Sequence, residues 1–357
     1  MKNKKSSYYA GHDLVKKKNK SNKPLINAIR GENPINEPFF PKDLIKNVDF
    51  FRYSDPLSQK LREKIVLYTG VPSSNILCTN GSDEALLLVM HLLIKPGEEI
   101  IICPPTFFNY EPYAKAARAK PVSVLRKDDF SLDIDTILTS ITKKTKLIVL
   151  DTPGNPCGAI IPRKDIEQLL KTGIDVVVDE AYFEYCQETV IDLIHTYPNL
   201  IITRSFSKWA GLAGLRVGYV IARKDVINGL VGIKVPCNVN SVGQYFASYA
   251  LDHKETFFKR LQKIIDLREQ AVQRLKKISD ITLISSYTAF FIIKLHTGNA
   301  QSLQKYLEQE NILVMALDQP RLENSLRVNV GTQEALERVC SSIELWISKQ
   351  KKKPVKK

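Results

Sequence analysis

Between residues 76 and 222 the chain repeats one pattern: a short continuous apolar run, a turn rich in Gly, Pro, Ser or Asn, then a stretch with helical spacing. The apolar runs fall at 76–79, 100–103, 147–150, 174–178, 200–203 and 217–222, and a clear helical stretch covers 85–94. Runs without apolar–polar alternation are what strands covered on both faces look like. Their alternation with helices predicts an α/β unit, a mainly parallel sheet with helices on both faces. Beyond it the pattern changes. Residues 238 to about 278 read as one long helical segment, 289–295, 312–315 and 326–330 as strands, and 332–348 as a closing helix, which predicts a smaller α/β C-terminal domain. The expected division is an N-terminal arm over 1–44 that packs on the small domain, a large domain over 45–245, a small domain over 246–348 and a tail over 349–357. A chain of 357 residues is long enough for two such cores.

Charge changes this picture less than it first suggests. The formal net charge is +14, but residues 1–23 carry eight lysines against one aspartate and residues 349–357 carry six lysines, so the tails hold all but one of the net charges. Charged ends of this kind are usually solvated, and no specific nucleic-acid partner is expected. The six cysteines (78, 103, 157, 186, 237, 340) show neither a C-x-x-C pair nor metal-ligand spacing. Free thiols in a reducing compartment, and no metal, are the expectation. No run of 18 apolar residues and no signal region occurs, so the expected protein is cytoplasmic and makes no membrane contact.

The chemistry concentrates at the ends of the apolar runs. Ser205-Phe206-Ser207-Lys208 follows one of them, and Arg216 stands eight residues after the lysine. A lysine amine can form a Schiff base with an aldehyde, while hydroxyls and a guanidinium can hold a phosphate, a combination that suits pyridoxal phosphate. Asp179 ends the 174–178 run, where an acid can either pair with a protonated ring nitrogen or simply cap a helix. Asn155, in the turn Pro153-Gly154-Asn155-Pro156, can donate to a phenolic oxygen or merely form the turn. Gly81-Ser82-Asp83 at a strand-to-helix turn offers free backbone N–H groups to a phosphate. There is no Walker loop and no G-x-G-x-x-G. Tyr110 can lie flat on a heterocycle or fill core.

Taken together and in this order, these segments resemble the fold-type I pyridoxal-phosphate enzymes, close to the histidinol-phosphate aminotransferases. The resemblance covers about 30–348 and rests on Glu32-Asn33-Pro34, Arg52-Tyr53-Ser54-Asp55-Pro56, Asn80-Gly81-Ser82-Asp83-Glu84, Pro105-Thr106 with Tyr110, Asn155-Pro156-Cys157-Gly158, Asp179-Glu180-Ala181-Tyr182, Ser205 to Tyr219, and Leu326-Arg327 to Thr332. It implies seven strands in the mainly parallel sheet. It also implies that Lys208 carries the cofactor and moves the proton, that Asp179 pairs with the ring nitrogen, and that Asn155 and Tyr182 hold the phenolic oxygen. Tyr110 would stack on the ring. Backbone at Ser82 and Asp83, with Ser205, Ser207 and Arg216, would hold the phosphate. Arg327 would clamp a substrate anion, with Arg321 and Asn33 as further substrate contacts. Tyr53 would reach the cofactor phosphate of a neighbouring subunit, so a homodimer is implied. The activity implied is ping-pong transfer of an amino group from a histidinol-phosphate-like amine to a 2-oxo acid.

The sequence also departs from that family. Met315 stands where an arginine usually helps grip the substrate phosphate, Thr152-Pro153-Gly154 replaces a Cys/Asn-Pro-Asn run, and Cys157 replaces a threonine. Two alternatives therefore stay open on the same fold. One is an aminotransferase for an unphosphorylated amino acid in specialised metabolism. The other is a threonine-phosphate decarboxylase-like lyase, which the 8–13 segment faintly resembles. A binding module without chemistry is disfavoured by the presence of both Lys208 and Asp179.

Overall fold

A computed structural model describes residues 24–29 and 40–351. Asn33, the 8–13 segment and the end of the basic tail lie outside the described residues. The chain falls into two compact units, Glu37–Leu261 and a second that joins Gln262–Lys357 to the chain up to Asn36.

The first unit is built on seven strands: β1 (Ile76–Thr79), β2 (Glu99–Ile102), β3 (Lys120–Ser123), β4 (Thr145–Asp151), β5 (Asp175–Asp179), β6 (Leu200–Ser205) and β7 (Gly218–Ile221). They lie in the order β1-β7-β6-β5-β4-β2-β3. β2 to β6 are mutually parallel, while β7 runs antiparallel to both β6 and β1. The reversal has a simple cause. The β6–β7 connection holds only one 3-10 turn, Ala213–Leu215, and lacks the α-helix that usually carries a parallel return.

Both faces of this sheet are covered, which is why its strands read as unbroken apolar runs. On one face Ile100, Ile102, Leu147, Val149, Val177, Ile201 and Val220 share a buried core with helices α2 (Ser82–Leu93), α3 (Tyr110–Ala116) and α6 (Lys224–Ile233). The intervening residues Ile101, Ile148, Val176, Val178, Ile202 and Ile221 are equally buried on the other. Each such side chain contributes about 1.5–3 kcal/mol by leaving water. Helices α1 (Gln59–Thr69), α4 (Ile134–Thr139), α5 (Arg163–Leu170) and α7 (Ser241–Asp252) complete the unit.

The long helical segment expected over 238–278 is two helices, α7 and α8 (Lys254–Leu275). The break is at His253, which leaves helical geometry with its ring stacked 4.0 Å from that of Tyr249. No Pro or Gly marks it, so the sequence pattern runs through it unaltered.

In the second unit an antiparallel sheet of β8 (Ile281–Ile284), β9 (Phe290–Leu295), β10 (Met315–Leu317) and β11 (Ser325–Asn329) has the order β10-β11-β9-β8. Helices α9 (Ala300–Gln309) and α10 (Gln333–Lys351) accompany it. The strand expected at 312–315 divides at Val314: Ile312–Leu313 pairs in parallel with Ile26–Asn27, whereas Met315 already belongs to β10. Among the described residues no helix is long and apolar enough to cross a membrane, and no group of acids, histidines and cysteines could hold a metal.

Candidate active site

The carboxyl ends of β4, β5 and β6 are where an open α/β sheet binds ligands. Asp179 closes β5 and is only 6 % exposed. Its Oδ2 accepts a hydrogen bond from the Tyr110 hydroxyl (2.9 Å) and its Oδ1 one from Thr203 Oγ1 (3.0 Å), Thr203 being its register partner on β6. Burial pushes the Asp179 carboxyl up to about 7; the Tyr110 hydrogen bond opposes the shift, and the negative charge of Asp151 adds to it. A cation placed beside this group would restore its ordinary acidity.

The turn after β4 is held from below. Asp151 accepts from Thr106 Oγ1 (2.8 Å), from Arg126 Nη2 (2.8 Å) and from the Asn155 backbone N–H (2.7 Å). Arg126 is fully buried and also reaches the carbonyls of Cys103 and Phe130. Asn155 is thereby fixed at the rim of the crevice, half-buried.

The end of β6 carries Ser205, whose Oγ accepts the Ser207 N–H (3.0 Å), and then Lys208, half-buried with its Nζ 5.5 Å from the centre of the Tyr182 ring. β7 returns from Arg216, whose φ of 52° lies in the left-handed region. Its Nη2 donates to Asp83 Oδ2 (2.8 Å), and Tyr113 donates to the other Asp83 oxygen (2.9 Å). The first turn of α2 has no side-chain cap at Gly81, so the N–H groups of Ser82 and Asp83 face the same place as the guanidinium. Two glycines permit this. A Cβ on Gly81 would sit 2.6 Å from Arg216 Nη2, and one on Gly218 would sit 2.6 Å from the Ser82 nitrogen. The strand bearing the arginine therefore touches the helix bearing the free N–H groups, as a phosphate cradle requires.

These observations fit pyridoxal phosphate: a buried acid for a ring nitrogen, a cradle for a phosphate, and the primary amine of Lys208 just past the end of β6. Tyr110 fits its expected place only in part. The ring is wholly buried in the core and its hydroxyl is committed to Asp179, so its geometry supports a hydrogen-bonding role better than ring stacking. Tyr53 is 94 % exposed, among the exposed Phe50, Phe51 and Leu57. In the second unit Arg327 is buried, donates to the Ile29 carbonyl (2.6 Å) and lies directly across from Met315 in the β10–β11 register. Arg321 is exposed on a turn with positive φ.

Sequence reasoning missed Thr203, Thr106 with Arg126, and Gly218. Thr203 had a signal, a hydroxyl closing the apolar run 200–203 just before the Ser205–Lys208 segment. Arg126 had none.

Fold and crevice together define a pyridoxal-phosphate-dependent transaminase. The sequence matches the family described as aminotransferase class I and II over residues 18–343, and the chain belongs to that family. It is 37% identical over 323 residues to a histidinol-phosphate aminotransferase of Dehalococcoides mccartyi, covering 90% of this chain and 89% of that one. Among solved structures it is similar to the histidinol-phosphate aminotransferase of Clostridium acetobutylicum, with a TM-score of 0.83, 22% identity and coverage of 91% of this chain and 100% of the other. The L-threonine-O-3-phosphate decarboxylase of Porphyromonas gingivalis is also similar, with a TM-score of 0.75, 25% identity and coverage of 86% and 94%. The aminotransferase relatives in sequence leave the decarboxylase alternative disfavoured.

Proposed function

We propose that this aminotransferase takes its amino group from a histidinol-phosphate-like amine and passes it to a 2-oxo acid. The observation that carries this reading is the 37% identity, over nine-tenths of the chain, to a protein of that activity. When bound, pyridoxal phosphate supplies an aldehyde carbon to hold the amine nitrogen and a ring to store the electron pair left by a departing proton.

The chain supplies the rest. Lys208 Nζ would tether the cofactor at rest and, once freed, would serve as the base that takes up and hands back the proton of the amine. Asp179 keeps a proton on the ring nitrogen by its charge, with Tyr110 and Thr203 fixing the carboxylate plane. Asn155 and Tyr182 hold the phenolic oxygen. Ser205, Ser207, Arg216 and the backbone at Ser82 and Asp83 hold the phosphate, Arg216 exchanging its hydrogen bond with Asp83 for one with the anion. Arg327, with Arg321 and Asn33, meets the substrate anion. We place the enzyme in the cytoplasm.

The division into an arm to 44, a large domain to 245 and a small domain to 348 belongs to the same proposal. So does a homodimer in which Tyr53 reaches the other subunit's phosphate, supported by the exposed Phe50, Phe51 and Tyr53. Mixing Tyr53→Ala with Lys208→Ala chains after dissociation and reassociation is expected to restore activity that neither variant has alone. Absence of recovery in confirmed mixed dimers counts against a shared site.

One observation favours a second substrate. Met315, not a cation, lies across from Arg327, so an unphosphorylated amino acid fits that place at least as well. A spectral titration of the loaded protein against histidinol phosphate, threonine phosphate, glutamate and apolar and aromatic amino acids separates the two. Bleaching of the cofactor band by histidinol phosphate, reversed by 2-oxoglutarate, is expected. Bleaching only by unphosphorylated amino acids would replace the donor proposed here.

A further inference from the structure

Strand alternation gives each crevice residue a sequence neighbour on the opposite face of the sheet. Asp179 is followed by Glu180, Ser205 is preceded by Arg204, and Gly218 is followed by Tyr219. Those neighbours meet. Arg204 donates to Glu180 Oε2 from Nε (2.9 Å), with its Nη2 2.8 Å from the same oxygen, and donates from Nη2 to Thr189 Oγ1 (2.7 Å). Its guanidinium carbon lies 3.9 Å over the Phe183 ring, and Tyr219 stands directly abreast of it on β7. Glu180, Arg204 and Tyr219 are all buried.

Behind this row is a second acid. Glu184, in the turn Phe183–Tyr185, is only 3 % exposed, and neither of its carboxyl oxygens has a hydrogen-bond partner. The Tyr68 hydroxyl of α1 faces it without closing a full hydrogen bond. A second carboxylate charge behind the Glu180–Arg204 pair cannot be held in a dry cluster without large cost. Arg204 is committed to Glu180, so the proton resides on Glu184: burial pushes that carboxyl up to about 8, against the pull of Arg204. The other titratable groups facing it add no charge near neutrality. Burial raises the hydroxyls of Tyr68 and Tyr219 far above their ordinary range and the Cys186 thiol to about 11.

The cluster is tied to the crevice at three points. Glu184 follows Tyr182 by two residues, and the Tyr182 ring is the one beside Lys208 Nζ. Arg204 is bonded to Ser205. The Tyr68 ring stacks on that of Trp209, the residue after Lys208, at 6.1 Å and 25°.

We propose that this reverse-face cluster is a positioning device for the transamination, with Glu184 the positioning residue that keeps Tyr182, Ser205 and the Lys208–Trp209 segment in place. The proposal rests on reading the crevice as the pyridoxal phosphate site. Loss of the Glu184 proton puts an unpaired buried carboxylate behind the Glu180–Arg204 pair, and the Phe183–Tyr185 turn yields, carrying Tyr182 with it.

Glu184→Gln keeps the shape and removes the titration. The measurement is the rate of cofactor release from the loaded enzyme, followed by absorbance without any amine from neutral to alkaline pH, beside kcat and KM over the same range. In the parent enzyme release is expected to quicken several-fold as pH passes about 8, with kcat falling at the same midpoint and KM unchanged. In Glu184→Gln both curves are expected to be flat there. An alkaline limb that survives in the variant overturns the proposal, as does a variant that only melts earlier with its pH profiles intact. Should Glu184→Gln not fold, Tyr68→Phe serves. It removes the group that eases Glu184 ionisation, so the midpoint should rise, and an unmoved midpoint overturns the idea. Release is read without substrate, so a wrong donor amine leaves this test standing. A chain that takes up no pyridoxal phosphate fails the proposed function instead.

Discussion

Lys208→Ala is expected to abolish turnover, by at least about 10⁴-fold, while the chain still folds and still takes up pyridoxal phosphate loosely. The expectation follows from where the amine stands. Lys208 is half-buried just past the end of β6, its Nζ beside Tyr182, and it makes no hydrogen bond on which the core depends. Its removal therefore takes away the covalent tether and the base together, leaving Arg216, Ser205, Ser207 and the α2 N–H groups to hold the phosphate. The melting temperature without cofactor should stay near that of the parent. The check is the absorbance of the bound cofactor, which should shift to that of the free aldehyde and wash out on dialysis, alongside the rate. A variant that turns over at the parent rate would falsify the mechanism.

Asp179→Asn should separate stability from activity. Turnover is expected to fall by about 10²–10⁴-fold, the cost of leaving a buried cation without its partner, roughly 3–5 kcal/mol. The cofactor-free variant should nonetheless be more stable than the cofactor-free parent at neutral pH. The sign follows from the raised Asp179 carboxyl, near 7 when folded against its ordinary value of 3.8. The folded parent holds a proton that the unfolded chain has released, so its stability declines as pH rises through that window and levels off above about 7. Asparagine has no proton to lose. The variant's advantage should be absent near pH 3 and reach at most roughly 4 kcal/mol above neutrality. Denaturant titrations of both cofactor-free proteins across that range measure it, and an advantage that does not grow with pH would mean that Asp179 is not a buried acid.

Much of this was legible in the sequence for one reason: strands covered on both faces leave unbroken apolar runs, and the residues that end those runs are the ones at the crevice. Asp179, Ser205 and Asn155 could be placed in that way before any coordinates. The Gly81-Ser82-Asp83 turn could also be placed, because a glycine and two small polar residues before a helix have few other uses. What could not be read was whatever depends on a partner distant in sequence. Arg126 lies 25 residues from Asp151, and nothing local distinguishes it from a surface arginine. The break at His253 has no breaker residue. Glu184 carries no local signal, since burial of a carboxyl is decided by what α1 and β7 bring to it. The reversal of β7 depends on the lack of an α-helix between Ser205 and Gly218, where the sequence places only a Gly-rich turn.

The two-sidedness of β5 and β6 also sets what kinds of sequence change these strand ends can survive. Asp179 and Glu180 face opposite ways, as do Ser205 and Arg204, so a substitution touches one face directly and reaches the other only through the residues that join them. A change of length acts on both faces at once. Deleting a single residue within either strand would exchange the two faces at its end and separate Glu180 from Arg204. These two strand ends are therefore closed to insertion and deletion, whatever replacements the crevice and the reverse-face cluster allow.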